Sequence, residues 1–177
     1  NASCDIFKIK ITGKSAHVGR PHLGHDALVT ASEVVVALQT IVAREVNPID
    51  RAVVGVGKLN AGTRYNIVAN DAEIEGTIRA FSHETRAHLK EAVTRIAKGI
   101  AELNRCDFEI DWYDAAAPVI NTPELAEEFQ KVVAKVEGID NLITKYESSM
   151  GADDFADYVV NKPGVYGLLG SQSGEDT

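Results

Sequence analysis

Three segments of this chain alternate, residue by residue, between apolar and charged side chains, and the sign of the charge differs between them. In residues 5–11, Phe7, Ile9 and Ile11 fall on one side and Lys8 and Lys10 on the other. In residues 73–81, Ile74, Gly76, Ile78 and Ala80 oppose Glu73, Glu75, Thr77 and Arg79. In residues 107–112, Phe108, Ile110 and Trp112 oppose Asp107, Glu109 and Asp111. A period of two is the mark of a strand with one face buried and one face wet. A lysine strand between two acidic ones sets opposite charges across from each other, each pair contributing ~0.2–1 kcal/mol, whereas adjacent acidic strands would set like charges opposite.

The intervening segments complete a pattern. Ala27, Leu28, Ala31, Val34, Val35, Leu38, Ile41 and Val42 recur at helical spacing between Asp26 and Pro48, which predicts one helix over 27–42. Residues 52–59 read as a strand rich in Val and Gly, Asn60-Ala61-Gly62-Thr63 as a turn, and Asn66-Ile67-Val68 as a further short strand. Ser82 is placed to cap a helix with the stripe Leu89, Ala92, Val93, Ile96, Ile100 and Leu103. The order is β-α-β-β-α-β, an α+β, ferredoxin-like sandwich: a four-stranded antiparallel sheet with two helices on one face. That topology puts the first strand between the third and fourth, as the charges require, and strand 52–59 at an edge. This edge strand is nearly uncharged, and unpaired edge amides invite another chain, so the expectation is a homodimer paired through 52–59. The other reading is an edge covered by a loop of the same chain.

After Ala115-Ala116-Ala117-Pro118 the texture changes. A helix follows Asn121-Thr122-Pro123, with short strands near 142–145 and 165–169. One helix and two short strands cannot easily enclose a core, so residues 116–177 read as an incomplete piece of a larger layer. The domain division expected is 4–115 and 116–177. Among 177 residues, 18 Lys and Arg stand against 26 Asp and Glu, a net charge of −8, which argues against nucleic acid. An RNA-binding sheet is further disfavoured by carboxylates where stacking aromatics belong. No apolar run approaches a membrane span and no signal peptide is visible; with two cysteines expected as free thiols, the expectation is a cytoplasmic protein without a membrane partner.

The loop 12–25 gathers His17, His22 and His25, but no Cys and no carboxylate except Asp26 accompanies them, so a polar loop outweighs a zinc site. His83 and His88 read as solvent-facing helix residues. Asn66 and Arg79 carry groups that could together receive a carboxylate. Against that stand an ion pair for Arg79 with neighbouring Glu residues and turn chemistry for Asn66. Asp153-Asp154, with Asp157, could form a general-base pair, though acids here more often start a helix.

Several motifs in register along the chain resemble one family. Gly13-Lys14-Ser15-Ala16-His17-Val18-Gly19-Arg20-Pro21-His22 with Gly24-His25-Asp26-Ala27 is similar to the opening of the lid, or dimerisation, domain of the di-metal amidohydrolases. That family includes aminoacylases, hippurate hydrolases, N-acetyldiaminopimelate deacetylases and plant-type indoleacetyl-amino-acid hydrolases. Gly62-Thr63-Arg64-Tyr65-Asn66-Ile67-Val68 and Gly76-Thr77-Ile78-Arg79 resemble later lid signatures. Gly151-Ala152-Asp153-Asp154-Phe155 and Pro163-Gly164-Val165-Tyr166 resemble the C-terminal region of the catalytic domain.

The resemblance implies a parent enzyme that cleaves an amide next to a free amino-acid carboxylate, using zinc or another divalent metal pair. It implies that His17 reaches into the partner's active site to hydrogen-bond the oxyanion, and that Asn66 and Arg79 bind substrate, Arg79 through the carboxylate. The family's metal ligands and general-base Glu have no counterparts in this sequence, so no metal is expected in this chain, and the chain alone is expected to be inactive. The alternative, from another class, is a stand-alone ferredoxin-like module that binds an amino acid or mediates assembly.

Overall fold

The computed structural model describes residues 1–137, 142–144 and 146–170. Strand β1 (Cys4–Thr12) leads through a loop to helices α1 (Ala27–Leu38) and α2 (Thr40–Glu45), then β2 (Ala52–Ala61), β3 (Asp71–Ala80), α3 (His83–Leu103) and β4 (Asp107–Ala116). The sheet order is β2-β3-β1-β4, antiparallel at every step, so the order expected from charge is the order found. In register, Lys8 lies between Glu75 and Asp111, and Lys10 between Glu73 and Glu109. The Lys8 ammonium is 2.7 Å from Glu73, and Lys58 on β2 is 2.8 Å from Glu75, closing a four-charge cluster on the wet face. Phe7, Ile9 and Ile11 meet Ile74 and Ile78 beneath α1 and α3, all buried. At Gly76 a Cβ would come within 2.2 Å of the Phe7 ring and 2.5 Å of the Gly55 carbonyl, so only glycine fits there.

Sequence signals also set the helix starts. The Asp26 carboxylate accepts from the Leu28 and Val29 amides, and the Ser82 hydroxyl accepts from the Thr85 amide. Four expectations are corrected. The helix over 27–42 is two helices that meet at Gln39, where the Thr40 hydroxyl donates to the Ala37 carbonyl at 2.8 Å. Together Ala27–Glu45 is long and apolar enough to cross a membrane by length and composition, which the short apolar runs did not suggest; its inner residues Ala27, Ala31, Val34, Leu38 and Ile41 belong to the core. The strand at 66–68 is a single bridge from Ile67 to His17, because Gly62, at φ +72°, turns the chain out of the ladder. Described residues near 142–144 and 165–169 form no strand, having no neighbouring strand to pair with, and residue 145 lies outside the described residues. Helix α4 (Pro123–Glu137) forms as expected, with Phe129, Val132 and Val136 exposed along it, and a short helix α5 (Ala156–Val159) follows.

Candidate functional site: two ends of one sheet

At one end of the sheet, the loop after β1 is stitched to the loop before β3. Lys14 and His25 exchange backbone bonds of 2.9 Å, the Val18 amide donates to the Asn66 carbonyl at 3.1 Å, and the Val68 amide donates to Ala16 at 2.9 Å. These bonds set His17, exposed, beside the half-buried Asn66. The Gly19 amide donates to His17 Nδ1 at 3.0 Å. An amide can only donate, so Nδ1 accepts and the neutral ring carries its proton on Nε2, as an outward-facing donor. A side chain at position 19 would crowd this nitrogen, its Cβ only 3.1 Å away.

Arg79 stands at the opposite end. Most of β3, ten residues long, separates it from Asn66, roughly 25 Å at ~3.3 Å per residue. The guanidinium and the amide are therefore not neighbours within one chain, contrary to the shared receptor pictured from sequence. Nor does Arg79 pair with a carboxylate among the described residues; its Nη1 donates to the Thr77 hydroxyl and, at 3.1 Å, to the Ile78 carbonyl. Asn66 lies in a turn, so the turn chemistry weighed for it is compatible with the geometry.

Other candidates resolve structurally. His88 is half-buried, its ring 3.9 Å from Glu45 and 4.0 Å from Glu91 rather than free in solvent. The Asp153 carboxylate accepts from the Phe155 amide at 2.9 Å and from the Tyr166 hydroxyl at 2.8 Å. Those bonds, the amide first, hold Asp153 below the usual carboxylate range, and it shapes the turn into α5 rather than forming a base pair with Asp154. Among the described residues, no group of three or more His, Cys, Asp or Glu side chains is placed to hold a metal. The described residues do not fit a metal pair. Sequence reasoning missed a cluster beneath Arg79: Asp5, fully buried, takes both its oxygens to Arg86 at 2.7 Å, with Lys90 at 3.0 Å. Its only sequence signal was a carboxylate on the apolar parity of β1.

Residues 6–105 match the model of the peptidase dimerisation domain. The chain belongs to the peptidase dimerisation-domain family. It is 33% identical over 177 residues to N-acetyl-L-cysteine deacetylase from Bacillus subtilis, covering 99% of this chain and 41% of the relative. It is 37% identical over 165 residues to N-acetyldiaminopimelate deacetylase from a Geobacillus species, covering 93% of this chain and 43% of that enzyme. Among solved structures, a dinuclear metal-binding peptidase from Bacillus subtilis superposes with a TM-score of 0.72 at 29% identity, covering 92% of this chain and 39% of that one. The dimerisation-domain chain thus spans less than half the length of these relatives.

Proposed function

We propose that residues 4–115 are the lid and dimerisation domain, and 116–177 a C-terminal piece of the catalytic domain, of a metal-dependent amidohydrolase acting on N-acyl amino acids. The parent forms a homodimer through the nearly uncharged edge strand β2, and each active site draws on both subunits. The observation that carries this reading is the separation of His17 and Asn66 from Arg79 by the length of the sheet, with β2 running along the gap.

Antiparallel pairing of β2 with its copy about a two-fold axis reverses the second sheet. The His17 and Asn66 end of one subunit then comes alongside the Arg79 end of the other. Arg79 lies at the end of the sheet where β1 begins and where β4 runs on into residues 116–177, so it serves its own subunit's cleft. Arg79 receives the carboxylate of the substrate, and His17 brings an Nε2 proton to the oxygen that gains charge when the acyl carbonyl is attacked. A zinc or other divalent metal pair, which the described residues do not hold, would supply Lewis acidity in the parent enzyme. The N-acetyl amino-acid substrates in the relatives' names support the substrate class. Charge of −8 and carboxylates on the wet face support a small-molecule substrate over nucleic acid. Cytoplasmic location remains part of this reading.

The test is subunit complementation in the intact enzyme. His17→Ala and Arg79→Ala homodimers are each expected to be nearly inactive. When mixed and re-associated, half the dimers are hybrids with one wild-type composite site, so about a quarter of native activity returns. If both residues served one subunit's site, every site in the mixture would carry a lesion and no activity would return. The 177-residue chain alone is expected to show no hydrolysis of N-acetyl amino acids, and turnover by it would remove the proposal.

A further inference from the structure

The open face of the sheet around Arg79 holds one side chain without a task in the fold's core: Thr77. Its hydroxyl donates to the Asp5 carbonyl at 2.7 Å, across from β3 to β1. A hydroxyl has one proton and two lone pairs, so toward Arg79 it can only accept. Arg79 Nη1 gives one proton to that oxygen and the other to the Ile78 carbonyl. Both Nη1 protons are thereby used, and the plane of the guanidinium is fixed. Nε and Nη2, which have no acceptor among the described residues, are left as a side-on pair of parallel donors, the arrangement that matches two carboxylate oxygens.

The platform under this pair is rigid. Asp5, whose carbonyl anchors Thr77, is fully buried, and its carboxylate is gripped by Arg86 and Lys90 from α3. The Ser3 hydroxyl accepts from the Ala80 amide at 3.1 Å, and the Ser3 amide donates to the Ala80 carbonyl at 2.7 Å, closing the ladder just past Arg79. Gly55 lies opposite Thr77 on β2 and a Cβ there would meet no atom within 4 Å, so the sheet face beside Thr77 is open on that side.

We propose that Thr77 is a positioning residue for substrate recognition: its hydroxyl locks Arg79 so that Nε and Nη2 face the α-carboxylate of the N-acyl amino acid. This rests on the reading of Arg79 as the carboxylate receptor. The side chain of valine has the shape of threonine but cannot accept, whereas serine keeps the oxygen.

The experiment measures KM and kcat of the intact metal-loaded enzyme on an N-acetyl amino acid and on its carboxamide, which lacks the charged end, for Thr77→Val, Thr77→Ser and Arg79→Ala. Thr77→Val is expected to raise KM for the acid roughly ten-fold, with kcat changed less and the carboxamide hardly affected, as a charge-assisted contact loses its geometry. Thr77→Ser is expected to stay within about two-fold of the native enzyme. Thr77→Val weakening acid and carboxamide alike, or sparing both while Arg79→Ala raises KM for the acid, overturns the positioning role and leaves the receptor reading standing. Arg79→Ala without effect on KM for the acid overturns the receptor reading, and the role of Thr77 with it.

Discussion

Asp5 occupies a position that the alternation of β1 reserves for an apolar side chain. A lone carboxylate there would face the core, and its desolvation is offset only by the forked contact with Arg86 and by Lys90, one helical turn further along α3. The carboxylate raises the Arg86 guanidinium above its ordinary value, chiefly through that hydrogen bond. Removing one partner from such a pair leaves the other uncompensated, at a cost of roughly 3–5 kcal/mol. Asp5→Asn is therefore expected to lower the urea midpoint of unfolding sharply, more than Lys8→Ala on the wet face, where an exposed pair is worth about 0–1 kcal/mol. Equal, small shifts for both would show that the buried network carries no stability. From sequence, Asp5 read as the first residue of a strand; only the packing of α3 shows which cations meet it. The motif singles out His17 as a candidate but does not give its tautomer, because that depends on an amide two residues away folding back onto the ring.

At the scale of elements, local chemistry carried far. Period-two alternation, Ser82 and Asp26 as caps, and the charge of β1 against its neighbours were enough to write the sheet order, since each has a consequence within a strand or a turn of its own position. What escaped depends on competition between nearly equal states. The break between α1 and α2 at Gln39 has no proline or glycine to mark it, and residues 66–68 have strand-like composition but lack a partner of matching length. The two edges of the sheet also differ in kind. Strand β4 carries Asp107, Glu109, Asp111 and Asp114, which repel a second copy, whereas β2 has a single Lys58. A Cβ at Gly55 meets no atom within 4 Å, so Gly55→Lys should fold normally while placing like charges close together across a two-fold at β2. Sedimentation of the intact enzyme is expected to shift from dimer toward monomer. An unchanged dimer dissociation constant would place the interface away from this strand.

Over the whole molecule, ionisation ties the acidic surface to stability. Lys90 holds the Asp114 carboxylate below its ordinary range, Lys8 does the same for Glu73, and the Phe155 amide for Asp153. A carboxyl group whose folded pKa lies under its unfolded value stabilises the fold above the unfolded value, and that contribution is lost as pH falls through the folded one. Net charge acts in the opposite direction at first: at −8 the chain repels itself near neutrality, and mild acidification relieves this. The two effects occupy different windows, because relief begins as the ordinary carboxylates start to titrate, while the paired ones stay ionised until the pH is lower still. The melting temperature is therefore expected to hold or rise slightly from pH 7 toward about 5 and to fall steeply below about 4. Thermal melts followed by circular dichroism across that range check it. Screening offers a second handle: the Lys8, Lys58, Glu73 and Glu75 cluster is solvent-exposed and should weaken in high salt, whereas the Asp5 network, buried beneath α3, should not. If molar salt flattened the acid limb entirely, screened surface pairs would be what acid dismantles; a limb that persists in salt assigns the loss to contacts that salt does not screen, such as the Phe155 amide on Asp153.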